Sequence, residues 1–471
     1  MRRHRRNPLR TTTRLVAGAL LIIALAIRVG YVEATHYKAI NDAGTYNHLA
    51  STIARFGDYR TGTGPGSGAG GSRGPTAYFP PAFPYALAVA DLIDGHQAGG
   101  RTAVPGERIE MAILGTIAVG LIGLVALEAF GIGPALAAMA IATVYPVMVE
   151  LSGVLVAENL LVVLELAAVW TALRARRATG GRVWIWAAAT GVLAGLGTLA
   201  HENAFLYALP LAFALWPSAR PRATRIAARV RTLAAPTVFL IMMAATIAPW
   251  TIRNAVELHH FIPVSDETGI TLVGTYNGAS AHNPRLPYKW ELFLKAPAER
   301  AVARAAHRQT EPELNATLES QGLDYIRAHP GSVLTVAFSN LRRMFEVRSI
   351  YAWHASALAI GLSPSTAEVG IMAFWVLCVL AILGARTAAV RAGPKWLWWV
   401  PVLYALSVVF INVETPRFRD PIDPFLVLLA GCALSAAAQR LGLGGAPIRR
   451  RRRTPELTRD AELVQMVQRL A

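Results

Sequence analysis

Long apolar runs alternate with short Arg-rich clusters along almost the whole chain, which is how membrane spans and their connecting loops are written. Five basic clusters belong on the cytoplasmic side by the positive-inside bias: Arg2–Arg14, Arg174–Arg182, Arg220–Arg231, Arg386–Lys395 and Arg440–Arg453. If all five lie inside, an even number of spans must separate each consecutive pair. Two apolar runs stand in 183–217, two (233–250 and 367–385) between the third and fourth clusters, and two in 396–438. The first gap holds five, at 15–32, 82–95, 109–128, 134–152 and 155–173, and five is odd. The run 82–95 is the shortest, follows Phe79-Pro80-Pro81-Ala82-Phe83-Pro84 and carries Asp91 and Asp94. Apolar runs of about 10–14 residues are more often interfacial or re-entrant than spanning. Placing this one on the outer face leaves an all-α polytopic membrane protein of about ten transmembrane helices, both termini cytoplasmic, in the plasma (inner) membrane.

The pattern divides the chain into a basic N-terminus (1–14), a transmembrane module (15–250) with a large first outer loop (33–108), and an extracytoplasmic segment (251–365) after the seventh span. C-terminal transmembrane helices (366–439) and a basic tail (440–471) complete it. Loops longer than about 12–15 residues are usually functional or disordered, so the active site is expected on the outer face. The first outer loop carries a Gly-rich stretch, Gly62–Gly74, that lacks the GKS or GKT end of a P-loop and reads as a flexible insertion. The run Arg449–Arg453 reads as an anchor to anionic lipid, and Thr454–Ala471 as a short amphipathic helix.

Composition agrees with this reading. Of 471 residues 54% are apolar and only 16% charged, where a soluble domain carries about a quarter. A net charge of +17 would suit a nucleic-acid partner, but the arginines sit at the ends of apolar runs, so topology accounts for them and nucleic acid is not the expected partner. The two cysteines, Cys378 and Cys432, each lie inside an apolar run and form neither a disulfide framework nor a zinc spacing. The stretch Leu15–Ile27 behind the N-terminal arginines has the look of a secretory signal with Val32-Glu33-Ala34 as cleavage site. It runs past a normal signal length and is followed by further spans, so an uncleaved first helix is expected.

Candidate chemistry gathers at the outer ends of the spans. Asp42, in Asn41-Asp42-Ala43-Gly44-Thr45-Tyr46, is placed either to cap a helix over 43–54 or to act as a general base at the membrane edge. Glu158 begins the span 155–173, with Glu150 and Glu165 as competitors; Glu165 is deeper and needs a buried partner, for which Arg28 is the candidate. His201 and Glu202 break two apolar runs and, with Glu158, are candidate ligands of a divalent cation. Pro249-Trp250-Thr251-Ile252-Arg253-Asn254 closes a span, where Arg253 marks either the membrane edge or a phosphate site. Arg417-Phe418-Arg419-Asp420, before the last span, is a second cationic outer site with an internal Arg–Asp pair as its simplest role.

These segments fall into an order that resembles the bacterial glycosyltransferases of the GT-C superfamily, the group of protein O-mannosyltransferases and the lipid A aminoarabinose transferase. The resemblance runs from Leu15 to Pro263 and resumes at Thr415–Pro424. It rests on Asp42-Ala43-x-x-Tyr46 after the first span, the Phe79–Pro84 element, Glu158 at the second acidic position and Pro249-Trp250-x-x-Arg253-Asn254. Ile262-Pro263-Val264-Ser265 with Gly269, Asp324–Arg327 with Pro330, and Arg417-Phe418-Arg419 follow. The Gly-rich insertion departs from the family, as does His201-Glu202 where relatives often have Arg. The resemblance implies a polyprenyl-phosphate-linked sugar donor, a lipid, protein or glycan acceptor, and inverting transfer with Asp42 as base and Glu158 assisting. It also implies phosphate or substrate contacts from Arg253, Asn254, Tyr46, Arg417 and Arg419, with a divalent cation as an optional cofactor. A transporter or flippase of a lipid-linked envelope precursor is the alternative. Such proteins often show paired internal repeats, which this chain lacks, and they seldom need an outer segment of about a hundred residues. A non-catalytic envelope scaffold would tolerate changes at Asp42 and Arg253.

Overall fold

The computed structural model describes residues 8–60, 74–93, 105–216, 225–291 and 309–443. The Gly-rich stretch through residue 73, the Arg449–Arg453 run and the tail from Thr454 lie outside these residues. Among the described residues every regular element is a helix, and extended pairing is confined to an isolated antiparallel bridge between Arg60 and Pro75.

A helical stretch stands at each of the ten expected span positions. Among the described residues, five helices are long and apolar enough to cross a membrane unbroken: Thr11–Ala34, Pro105–Ala129, Arg182–Ala200, Leu233–Glu257 and Pro364–Ala385. Others are built in pieces. The run 134–152 splits into Ile132–Val144 and Pro146–Leu151, because Pro146 lacks an N–H and holds Tyr145 extended. The run 203–217 starts as the 3-10 turn Glu202–Tyr207 and continues as Ala208–Leu215. Lys395–Trp398 leads into Trp399–Val409 in the same way. Ala157–Arg177 and Asp423–Arg440 complete the set. The run assigned to the interface is the helix Ala82–Ile93. Its 12 residues reach about 18 Å, short of the ~30 Å hydrocarbon core, and it packs against Asp42–Phe56.

Arg182–Ala200 packs against both Ala157–Arg177 and Arg225–Glu257, and Pro364–Ala385 against Asp423–Arg440. Two of these three crossings, that of Arg182–Ala200 with Arg225–Glu257 and that of Pro364–Ala385 with Asp423–Arg440, depend on glycine. A Cβ on Gly191 would collide with the carbonyl oxygen of Phe239, and one on Gly384 with that of Leu429. Helices in lipid gain nothing from expelling water between them, so this close backbone approach supplies their van der Waals contact.

The described parts of the segment expected as one long outer stretch hold several helices, with Thr268–Thr275, Glu311–Ala328, Gly331–Met344 and Ile350–Ala359 as the longer ones. It docks on the strip 74–80. The Glu311 carboxylate accepts hydrogen bonds from Thr76 Oγ1 at 2.6 Å and the Ala77 N–H at 2.7 Å, and the Asp266 N–H donates to the Ala77 carbonyl at 2.9 Å. Burial, reinforced by Glu311, Glu319 and Glu202, pushes the Asp266 carboxyl up to about 7.

Two outcomes follow from this packing. Gly384→Val should lower the thermal midpoint of the detergent-solubilised chain by several degrees, whereas Gly18→Ala, with open space around it, should leave it unchanged. Between about pH 4 and 7 the unfolded chain has lost the Asp266 proton that the folded chain keeps, so stability should fall as pH rises through that window. Thermal unfolding across it should show a shallower fall for Asp266→Asn.

Candidate active site

Asp42 is the first residue of the helix Asp42–Phe56. The cap position belongs to Asn41, at a left-handed φ of 51°, whose Nδ2 donates to the Ala359 carbonyl at 2.9 Å; no side chain caps the helix. The capping role expected for Asp42 is therefore replaced by another: its Oδ2 accepts a 2.5 Å hydrogen bond from Arg417 Nη1. Tyr46 lies one turn on and so on the same face. It is buried with ring centroids 4.5 Å from Phe79 and 5.0 Å from Phe83, so the Phe-Pro-Pro element clamps the helix that presents Asp42.

Glu158 stands in the first turn of Ala157–Arg177 and is fully buried. Asn159 fixes the preceding turn by donating from Nδ2 to the carbonyls of Leu151 and Val154. Glu158 Oε1 accepts from Arg417 Nε at 2.7 Å and lies 3.7 Å from His201 Nε2. His201 is wedged edge-on between the rings of Tyr404 and Phe418, and Arg417 lies over Phe418 at 5.0 Å. The side chain of Arg417 is 9% exposed. Burial opposes its charge, but the carboxylates of Glu158 and Asp42 outweigh that and hold its pKa well above the usual arginine range.

A cavity of about 230 Å³ opens over this group; Asp42, Tyr46, His201, Glu202 and Arg417 line it. So do Glu267, Trp290 and Glu414, none of which sequence reasoning singled out. Burial beside Glu202 and Asp42 pushes the Glu267 carboxyl well up, with Arg417 countering. An apolar groove of about 750 Å³, lined by Phe205, Leu240, Met243, Ile247 and Ile252, runs along Leu233–Glu257. Glu202, which accepts a hydrogen bond from Ser265 Oγ, lines both the groove and the cavity.

Other expected site residues lie elsewhere. Arg253 donates to the carbonyls of Thr76 (2.7 Å) and Tyr59 (2.8 Å) and lies over Trp250, stitching those two residues to its helix outside the cavity lining. Asn254 is fully buried and donates to the Ile262 carbonyl. Arg419 pairs with Glu346 (2.8 Å) and Asp423 (3.1 Å), not with its neighbour Asp420. The Arg28–Glu165 pair does not form. Arg28 donates to Ser152 Oγ and to the carbonyls of Ala24, Ala142 and Thr143, while Glu165 lies beside Tyr207. Glu158, His201 and Glu202 do not assemble as metal ligands either: among the described residues no three His, Cys, Asp or Glu side chains are placed to hold an ion, and Glu158 Oε1 is engaged by Arg417.

The sequence model of the dolichyl-phosphate-mannose-protein mannosyltransferase family matches residues 80–250. No curated relative matches the chain by sequence. Among solved structures, the archaeal oligosaccharyltransferase AglB from Archaeoglobus fulgidus, in complex with an inhibitory peptide and a dolichol-phosphate, superposes with a TM-score of 0.51 at 15% identity. The match covers 91% of this chain and 51% of AglB, so the chain spans about half of that protein's length. ArnT from Cupriavidus metallidurans, bound to undecaprenyl phosphate, aligns over 93% of this chain and 79% of its own at 13% identity, with a TM-score of 0.39. The chain therefore has the all-helical membrane fold of the GT-C glycosyltransferases that its ordered motifs resemble.

Proposed function

We propose that the chain is a glycosyltransferase that moves a sugar from a polyprenyl-phosphate donor to a hydroxyl of a lipid, protein or glycan acceptor, on the extracytoplasmic face of the plasma membrane. The observation that carries this reading is the Arg417 guanidinium held between Asp42 and Glu158 in a cavity that meets an apolar groove at Glu202. A lipid-phosphate sugar has the same two-part chemistry, a polar head on an isoprenoid tail. The dolichol-phosphate in the AglB complex supports a donor of this class.

In this mechanism the acceptor oxygen bonds to the anomeric carbon as the bond from that carbon to the phosphate oxygen breaks, and both electrons of that bond leave with the polyprenyl phosphate. Asp42 takes the acceptor's proton. Arg417 engages Oδ2 alone and fixes the carboxylate, whose side chain is 45% exposed toward the cavity and so within reach of an entering hydroxyl. A single displacement inverts the anomeric centre. Arg417 and His201, which line the cavity, stabilise charge on the departing phosphate; Arg253 lies outside the cavity lining and donates to the carbonyls of Thr76 and Tyr59 and to Asn254 Oδ1. The tail occupies the groove along Leu233–Glu257.

Asp42→Asn should reduce transfer at least about a hundredfold while the protein stays in the membrane. Mass spectrometry of the host's envelope glycans should then find one glycan short of a sugar and its lipid-linked donor accumulating. A normal glycan profile in this variant, with the sugar missing in a full deletion, would sink Asp42 as the base and favour a transporter. Arg417→Ala should differ in kind. It leaves the fully buried Glu158 without its ion pair, and losing one partner of a buried pair costs about 3–5 kcal/mol, so the thermal midpoint should drop along with activity, and further than that of Asp42→Asn, which leaves the Glu158 pair in place.

A further inference from the structure

The segment between the seventh span and Pro364–Ala385 contributes an aromatic wall to the cavity. Trp290 lines it, and its indole is fixed: Nε1 donates to the Ile270 carbonyl at 3.2 Å, and the pyrrole ring lies so close to Gly274 that a Cβ there would collide with Nε1. The next residue continues the pairing, with the Glu291 N–H donating to the Gly274 carbonyl at 3.1 Å. Polar groups share this part of the cavity. Glu414 lines it and is anchored by the largely buried Lys289, Nζ to Oε1 at 2.6 Å. Asn412 also lines it, and its buried Oδ1 has no hydrogen-bond partner.

Tryptophan near a membrane surface is most often an interfacial anchor, with its ring among lipid headgroups. Trp290 instead lines a polar cavity beside a buried lysine, in a position that needs glycine as its neighbour. A fixed aromatic ring, an unpartnered amide oxygen and a held carboxylate together match a ligand with one apolar face of C–H groups and a rim of hydroxyls. A sugar ring is such a ligand. Resting on the transferase reading above, we propose that Trp290 is the stacking platform for a sugar ring, with Asn412 Oδ1 and Glu414 accepting hydrogen bonds from its hydroxyls. The ring is either the sugar of the lipid donor or one already carried by a glycan acceptor.

The test uses the full chain in lipid nanodiscs. Binding is measured for undecaprenyl phosphate, for undecaprenyl-phosphoryl hexoses and pentoses, and for methyl glycosides of the same sugars. Trp290→Ala should weaken the best sugar-loaded lipid about tenfold and leave undecaprenyl phosphate unchanged. Trp290→Phe should retain most of the affinity. Gly274→Ala, which displaces the ring without removing it, should copy Trp290→Ala. A loss confined to the methyl glycosides, with the loaded lipids unchanged, places an acceptor's sugar on the platform instead of the donor's. Equal weakening of bare and loaded lipid, no weakening of any probe, or a wild-type chain that does not distinguish sugar-bearing probes from the bare lipid would each overturn the platform. A wild-type chain that binds no polyprenyl phosphate, loaded or bare, overturns the transferase reading itself.

Discussion

A guanidinium almost cut off from water has to be met by fixed negative charge, and Arg417 is met from two directions at once. Withdrawing an ion from water costs several kcal/mol, a penalty that only good geometry and full hydrogen bonding repay. The start of Asp42–Phe56, the turn before Ala157–Arg177 and the 3-10 turn Arg417–Arg419 therefore have to register against one another. The surrounding structure serves that registration. Phe79 and Phe83 hold Tyr46, Asn159 holds the turn before Glu158, and Tyr276 and Asn340 donate to the carbonyls of Phe410 and Val409 at the root of the loop that carries Arg417.

The same constraint explains an arginine within the first span. Pro146 ends the helix Ile132–Val144, and the last carbonyls of a helix have no partners within it. Arg28 donates to two of them, at Ala142 and Thr143, and to Ser152 beyond the break. A proline break and a buried cation, each costly alone in a membrane, satisfy one another. Arg343, likewise buried, donates to the backbone carbonyls of Pro287 and Tyr288 in a turn.

What the sequence made legible follows from the range of each signal. Span positions are written in composition over about 20 residues, and the short helix Ala82–Ile93 follows from counting them. Asp42, Glu158, His201 and Arg417 were visible one at a time, because each is polar where an apolar run ends; that one guanidinium joins them was not, since the contacts lie 259 and 375 residues apart. Of the two roles open to Asp42, the cap is not taken up, because its carboxylate is drawn into the tertiary ion pair with Arg417. The partners given to Arg28 and Arg419 were wrong because the reading looked for opposite charge on neighbouring or facing elements. Arg28 found orphan carbonyls, and Arg419 found acids on two other elements. Glu267 and Trp290 had no local signature: one stands at the N-cap of the short helix Thr268–Thr275 and the other lies in a loop, and tertiary docking alone brings both to the cavity.

The order of synthesis gives the buried ion group a further consequence. Translation runs from the N-terminus, so Asp42 and Glu158 are made well before Arg417, which follows Glu158 by 259 residues. Until the loop around Arg417 is made, Glu158 lacks the guanidinium it pairs with, and the cavity lacks the wall formed by Phe418, Asn412 and Glu414. In a partly made chain Glu158 has only His201 beside it. The loop that carries Arg417 thus gives helices made long before it their shared counter-ion, and the packing of the outer helix ends waits on its threading.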